Sequence, residues 1–185
     1  MNSLFHGLVA NWPIWLLSAI LIVAAVIDGW KLKVPNWLTF PLVFAGWAAG
    51  AYCGGFEGLV SSVVGTLVGL GLLLPAYAVG GMGAGDVKLM GGVGAWIGVT
   101  ATFYAFCATT IVGGVIAVAM VLLRGRWRHH LKQLLQIADE ILVLRDLEVL
   151  SDLAAKRKST MLLLPYGIPI ALGTIGYFFW CGMLL

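Results

Sequence analysis

Apolar runs of membrane-crossing length dominate this chain, and the short breaks between them carry charge in a pattern that leaves few folds open. A helical span needs about 20 mostly apolar residues. The runs Trp12 to Ile27, Trp37 to Tyr52, Leu59 to Val79, Val87 to Val99, Phe103 to Leu123 and Met161 to Leu184 are read as six spans. The stretch from Val87 to Leu123 is too long for one span and long enough for two, and its short first member can begin inside the preceding loop. If the six spans alternate, the breaks after the first, third and fifth share one side of the membrane. Those breaks hold all 11 Lys and Arg residues, and the opposite breaks hold only Glu57 as a charge. The positive-inside rule then puts the basic breaks in the cytoplasm and both termini outside. An extra or missing span would split the basic residues between the two sides.

Charged residues are only 10% of the chain, against about 25% in a soluble domain, so a water-covered surface is out of reach. Period-two alternation is absent, which argues against a β-barrel. The expected fold is therefore all-α, a single integral-membrane domain over 1–185 with the lipid bilayer as its first partner. The net charge of +3 is too small to imply nucleic acid. Cys53, Cys107 and Cys181 form no CxxC or Cys/His spacing, and His6, His129 and His130 lack ligating neighbours in sequence, so neither a metal nor another cofactor is expected. The first residues lack the basic region of a cleavable signal, and the first run reads as a permanent span. The hydrophilic segment at about 124–160 opens with Arg124, Arg126 and Arg128 and then repeats Leu131, Leu134, Leu135 and Ala138 at helical spacing. It reads as an amphipathic helix on the cytoplasmic membrane surface.

The polar residues left near span ends narrow the chemistry. Asp28 ends the first span, and Asp86 follows Gly80-Gly81-Met82-Gly83-Ala84-Gly85 in the loop before the fourth. Both fall on the cytoplasmic side. An ionisable residue at the edge of an apolar bundle is costly and marks a functional site by default. Two carboxylates brought together in a poorly solvated site cannot both ionise and would share a proton. That is the arrangement in which one carboxylate activates water while its protonated partner polarises a carbonyl. Gly83 and Gly85 are read as backbone support that lets another chain come close to Asp86. Lys88 is read as reaching the headgroups, or as steering a substrate carboxylate. Pro35 and Asn36 open the second span. Pro165, Tyr166 and Gly167 form a helix-entry turn on the same face, where they can border the site. A small proton-coupled transporter and a non-catalytic assembly subunit are the alternatives.

The run Asp28 … Val34-Pro35-Asn36, then Gly83-Ala84-Gly85-Asp86-Val87-Lys88-Leu89, then Pro165-Tyr166-Gly167-Ile168-Pro169 resembles the type IV prepilin peptidase family, the GxGD-type intramembrane aspartic proteases. The resemblance covers essentially the whole chain. It implies catalytic roles for Asp28 and Asp86, and a location in the bacterial inner membrane. The implied substrates are prepilins or prepilin-like proteins, whose short basic leader is cut after a glycine and before an apolar helix. The larger members carry two CxxC pairs and also methylate the new N-terminus. This sequence has no CxxC, so methylation is not expected, and the resemblance is strongest to the short, peptidase-only branch of Flp/Tad-type pili. Ile168 between Gly167 and Pro169 departs from the tighter Pro-Tyr-Gly-Pro form.

Overall fold

A computed structural model describes residues 11–78, 81–123 and 165–184. The amphipathic segment expected at 124–160, the start of the last span at 161–164, the glycine at 80 and the three histidines lie outside the described residues. The described residues form four helices: α1 (Trp12–Lys31), α2 (Asn36–Ala78), α3 (Ala84–Leu123) and α4 (Gly167–Trp180). The first three are each long and apolar enough to cross a membrane, and α4 is a shorter apolar helix.

The two longest helices are not straight. α2 breaks at Gly55, whose φ of 59° and ψ of −140° are open to a residue without Cβ. On either side of the break, the Trp47 indole donates to the Thr66 hydroxyl at 2.9 Å. A straight helix would hold those two residues about 28 Å apart, so the chain doubles back at Gly55 into two antiparallel arms. α3 breaks in the same way at Gly98 (φ 71°, ψ −176°). Tyr166 lies beside Gly113 on one arm and within electrostatic range of Asp86 on the other, positions that a straight helix would separate by about 40 Å. The breaks fall where the sequence separates the second span from the third and the fourth from the fifth.

Close packing of small residues holds the arms together. A Cβ built on Gly94 would collide with the Gly65 carbonyl, and one on Gly65 with the Gly94 carbonyl. Gly65 and Gly69 stand four apart, the spacing that lets helix backbones touch where no water drives association. α2 packs on α3, α3 on α4, and α4 on α1, which has few other neighbours. A buried core of Leu17, Leu21, Leu42, Leu73, Leu89, Met90, Ile170 and Phe178 runs through the bundle. Exposed Trp30 and Trp37 ring the end that carries Lys31 and Lys33, and exposed Trp12, Tyr52, Phe56 and Trp180 ring the other, as aromatic side chains do at membrane–water boundaries.

Two boundaries differ from the sequence reading, and both bear on the site. α1 continues to Lys31, so Asp28 lies inside its last turn instead of ending the span. The helix stops where Leu32 enters the left-handed region at φ 50° and its N–H returns to the Asp28 carbonyl at 2.8 Å. The second correction is at the glycine-rich stretch. α3 begins at Ala84, so Gly85 and Asp86 belong to its first turn and not to a loop. Glycine is a poor helix former, but a carboxylate in the first turn stabilises the start that glycine leaves weak.

Candidate functional site: two buried aspartates on one cavity

Asp86 is the third residue of α3, and its Oδ2 accepts the N–H of Gly83 at 3.1 Å, while its own N–H donates to the Gly83 carbonyl at 3.2 Å. This is the acidic half of a capping box: the side chain at the third position reaches back to the residue that precedes the helix. Gly83 fits tightly, since a Cβ there would stand 3.2 Å from the carboxylate it caps. Gly85 is tighter still. A Cβ on it would meet the Val34 carbonyl at 2.8 Å and the Val34 nitrogen at 3.1 Å. The sequence reading gave these glycines the role of admitting a neighbouring backbone. The backbone that approaches Gly85 is the protein's own, the α1–α2 connection at Val34.

That connection brings the second carboxylate in. Asp28 Oδ2 accepts the N–H of Gly167 at 2.8 Å, a buried bond between residues 139 positions apart. Gly167 is the first residue of α4. A Cβ there would lie 2.9 Å from both Cβ and Oδ2 of Asp28, so glycine lets the carboxylate reach the helix start. The positive end of the helix dipole and a donated N–H both favour a carboxylate there. The carboxylates of Asp28 and Asp86 thus meet the starts of two different helices, and the two residues are 2% and 5% exposed. Burial that deep sets them apart from surface acids.

Both aspartates line one cavity of about 360 Å³, together with Leu32, Lys33, Val34, Asn36, Lys88 and the stretch 83–85. Tyr166 adjoins it, half-buried and close enough to Asp86 to feel its charge. Lys88 reaches across the cavity mouth: its Nζ donates to Asn36 Oδ1 at 2.9 Å and stands 5.0 Å from the centre of the Phe40 ring. The ammonium is therefore held by an amide and an aromatic face of α2. Asn36 and Pro35 open α2, with the Leu38 and Thr39 N–H groups returning to the Pro35 carbonyl. Pro165 does the same for the start of α4, accepting from Ile168 at 3.2 Å.

Of the residues named from sequence, Asp28, Asn36, Gly83, Gly85, Asp86 and Lys88 line this cavity, and Gly167 joins it through its bond to Asp28. Gly167 has a different place from the substrate contact considered for it, since it is buried and holds Asp28. Leu32, Lys33, Val34 and Ala84 also line the cavity, and none of them is given a place in the site by the sequence. The signal for Val34 was present, since a residue before proline is extended and can lay its backbone along a neighbour. Leu32 left no trace in sequence, because a left-handed leucine has no compositional mark. Among the described residues no three His, Cys, Asp or Glu side chains are grouped to hold a metal ion. A cavity lined by two carboxyl groups has the parts for acid–base chemistry, since an ionised carboxylate can take a proton and a protonated carboxyl can give one.

The sequence pattern of the type IV leader peptidase family matches residues 15–118. Among curated proteins, the chain is 35% identical over 142 residues to a prepilin leader peptidase/N-methyltransferase of Neisseria gonorrhoeae, covering 68% of this chain and 49% of that one. It is 33% identical over 122 residues to the protein of the same name from Aeromonas hydrophila, covering 62% of this chain and 41% of the relative. A third of that name, from Burkholderia pseudomallei (strain 1026b), is 30% identical over 119 residues, 60% of this chain and 38% of the relative. The chain thus spans less than half the length of the curated relatives it matches. No solved structure matches. The family match includes Asp28 and Asp86 and ends before Gly167.

Proposed function

The chain belongs to the type IV leader peptidase family, and on that premise we propose that it is a membrane-embedded aspartic endopeptidase removing the leader of type IV prepilins or prepilin-like proteins. The observation that carries this reading is the shared cavity: two deeply buried aspartates, each accepting a backbone N–H at a helix start, line the same space. In the proposed reaction a water between them is the nucleophile. The ionised carboxylate takes its proton as the oxygen attacks the scissile carbonyl, and the protonated carboxylate hydrogen-bonds the developing oxyanion. The tetrahedral intermediate collapses with a proton delivered to the leaving amine. The reaction needs one carboxyl ionised and the other protonated at the start, and the proton taken from water by the first is the one passed to the leaving amine.

The proposal includes the topology that sends substrate there. The two arms of α2 and of α3 would be separate spans, which with α1 and α4 makes six crossings. The cavity then opens at the end that carries Lys31, Lys33 and Lys88, the cytoplasmic end under the positive-inside rule. A leader lying just outside an apolar helix reaches that end already extended, so little unwinding is needed. The membrane would be the bacterial inner membrane, with both termini on its outer side, and the substrates those of Flp/Tad-like pili. The proposal is confined to the peptidase step. A transporter would use carboxylates along its path through the membrane, whereas both of these sit at one end of the bundle.

The test is cleavage by the purified chain in detergent of a prepilin peptide that contains the leader junction, followed by mass spectrometry. Cleavage at one bond, unaffected by chelators and lost in both Asp28→Asn and Asp86→Asn, is the expected outcome. A well-folded Asp→Asn variant that still cleaves at the wild-type rate would remove that residue from the mechanism.

A further inference from the structure

The outer faces of α1 and α4 leave an apolar groove of about 600 Å³ between them. On α1 its wall is Ile22, Ala25, Val26, Gly29 and Trp30; on α4 it is Ile168, Ala171, Leu172 and Ile175. Apart from Trp30, each set follows the i, i+3, i+4, i+7 order of one helical stripe, and two such stripes side by side form the trough into which a third helix packs. The groove does not stop at an arbitrary point. Gly29 follows Asp28 in the chain and Ile168 follows Gly167, so the pair joined by the 2.8 Å bond between the Gly167 N–H and Asp28 is also the partition between the groove and the polar cavity. We propose that this groove seats the apolar helix of the substrate, so that the residues just ahead of that helix cross the partition beside Gly29 and enter the cavity at Asp28. The inference rests on the peptidase reading and adds to it the surface that recognises the membrane-bound part of the substrate.

Gly29 suits such a crossing. A Cβ added there would meet only the Ile168 Cδ1 atom, at an ordinary 3.6 Å. The fold has room for alanine, which a helix prefers to glycine. Gly85 and Gly167, by contrast, are each pressed against the protein's own atoms. Glycine at 29 answers no internal packing need and keeps the partition low where an incoming backbone has to pass. The chemistry of the groove selects the occupant. Its walls carry no charge, and exposed Ile22, Val26 and Leu172 belong to them, so a ligand held there along two helical stripes is itself an apolar helix. The adjoining cavity is polar and lined by Lys33, Asn36 and Lys88, so the same ligand has a hydrophilic extended segment at one end. Those two properties together describe a membrane protein with a leader next to its span.

Two model substrates provide the test in lipid nanodiscs. One carries a basic leader, the glycine junction and an apolar helix of about 20 residues; the other ends four residues past the junction. Val26→Trp and Leu172→Trp each fill the groove from its lipid-facing side, where added bulk displaces lipid and not core. The ratio of kcat/KM for the long substrate over the short one is expected to fall about tenfold in each variant. In parallel, a photoreactive benzophenone side chain in the first two turns of the long substrate's helix, mixed with the Asp28→Asn enzyme, is expected to label peptides containing 22–29 and 168–175. An unchanged ratio, including one where both substrates lose equally, overturns the proposal. So does labelling of the 56–78 arm, of a second copy of the chain, or of nothing but lipid. If the wild-type chain cuts neither substrate, the peptidase reading itself falls; if it cuts both and the ratio holds in the variants, only the docking groove does.

Discussion

The two aspartates are supported in different ways, although they face one cavity. Asp86 is held by its own helix turn, through the N–H of a residue three positions earlier. Asp28 is held by the start of α4, 139 positions away. The first bond forms with the opening turn of α3. The second exists only once α4 has packed on α1 and placed Gly167 beside the carboxylate. One of the two bonds is therefore local and the other tertiary. Damage to the packing of α1 on α4 should break the Asp28 bond while leaving the bond between Gly83 and Asp86 in place.

In the proposed chemistry that asymmetry disappears. Asp28→Asn and Asp86→Asn should each lower turnover by about 1,000-fold, within the range of acid–base groups, with helix content unchanged by circular dichroism. A large difference between the two would break the equivalence of the pair. The asymmetry returns one step out. Gly167→Ala places a Cβ 2.9 Å from both Cβ and Oδ2 of Asp28, which can move only if a helix moves, whereas Gly83→Ala meets one oxygen of Asp86 at 3.2 Å. Gly167→Ala should cost about 10- to 100-fold in kcat, the equivalent of about 1–3 kcal/mol of overpacking, and Gly83→Ala only a few-fold. Equal losses would show that both carboxylates are held equally loosely.

Gly85→Ala separates the site from its frame. Its Cβ would run into the Val34 backbone at 2.8 Å, so the main loss should be stability, about 1–3 kcal/mol by thermal unfolding in detergent. Cleavage below the unfolding temperature should fall less than in Gly167→Ala. The smallest effect is expected where the bond itself is exposed. The bond from Lys88 to Asn36 at 2.9 Å ties the start of α3 to the start of α2. A double-mutant cycle with Lys88→Met and Asn36→Ala should return a coupling of about 0.5–1 kcal/mol, with cleavage changed by less than about threefold. A larger loss of cleavage in Lys88→Met than in Asn36→Ala would mean that the ammonium acts on the substrate and not only on the loop.

The class of the molecule was legible without coordinates. Hydropathy belongs to single residues and sums along a chain, so the apolar runs and the breaks near Gly55 and Gly98 could be read in order. So could the helix start at Pro35 and Asn36, since proline acts on its immediate neighbours. The glycine-rich stretch before Asp86 was harder, because a glycine that ends a loop and one that lets two backbones touch are the same letter. Low propensity suggested a loop, and the close fit of Gly85 against Val34 together with the Asp86 cap put a helix there. Tertiary structure alone decided that α2 and α3 each fold back on themselves into contact, that Asp28 and Asp86 share a cavity, and that Gly167 positions Asp28. Those facts depend on distances between residues far apart in sequence, and such distances arise from how several helices pack at once; no single stretch of chain carries them.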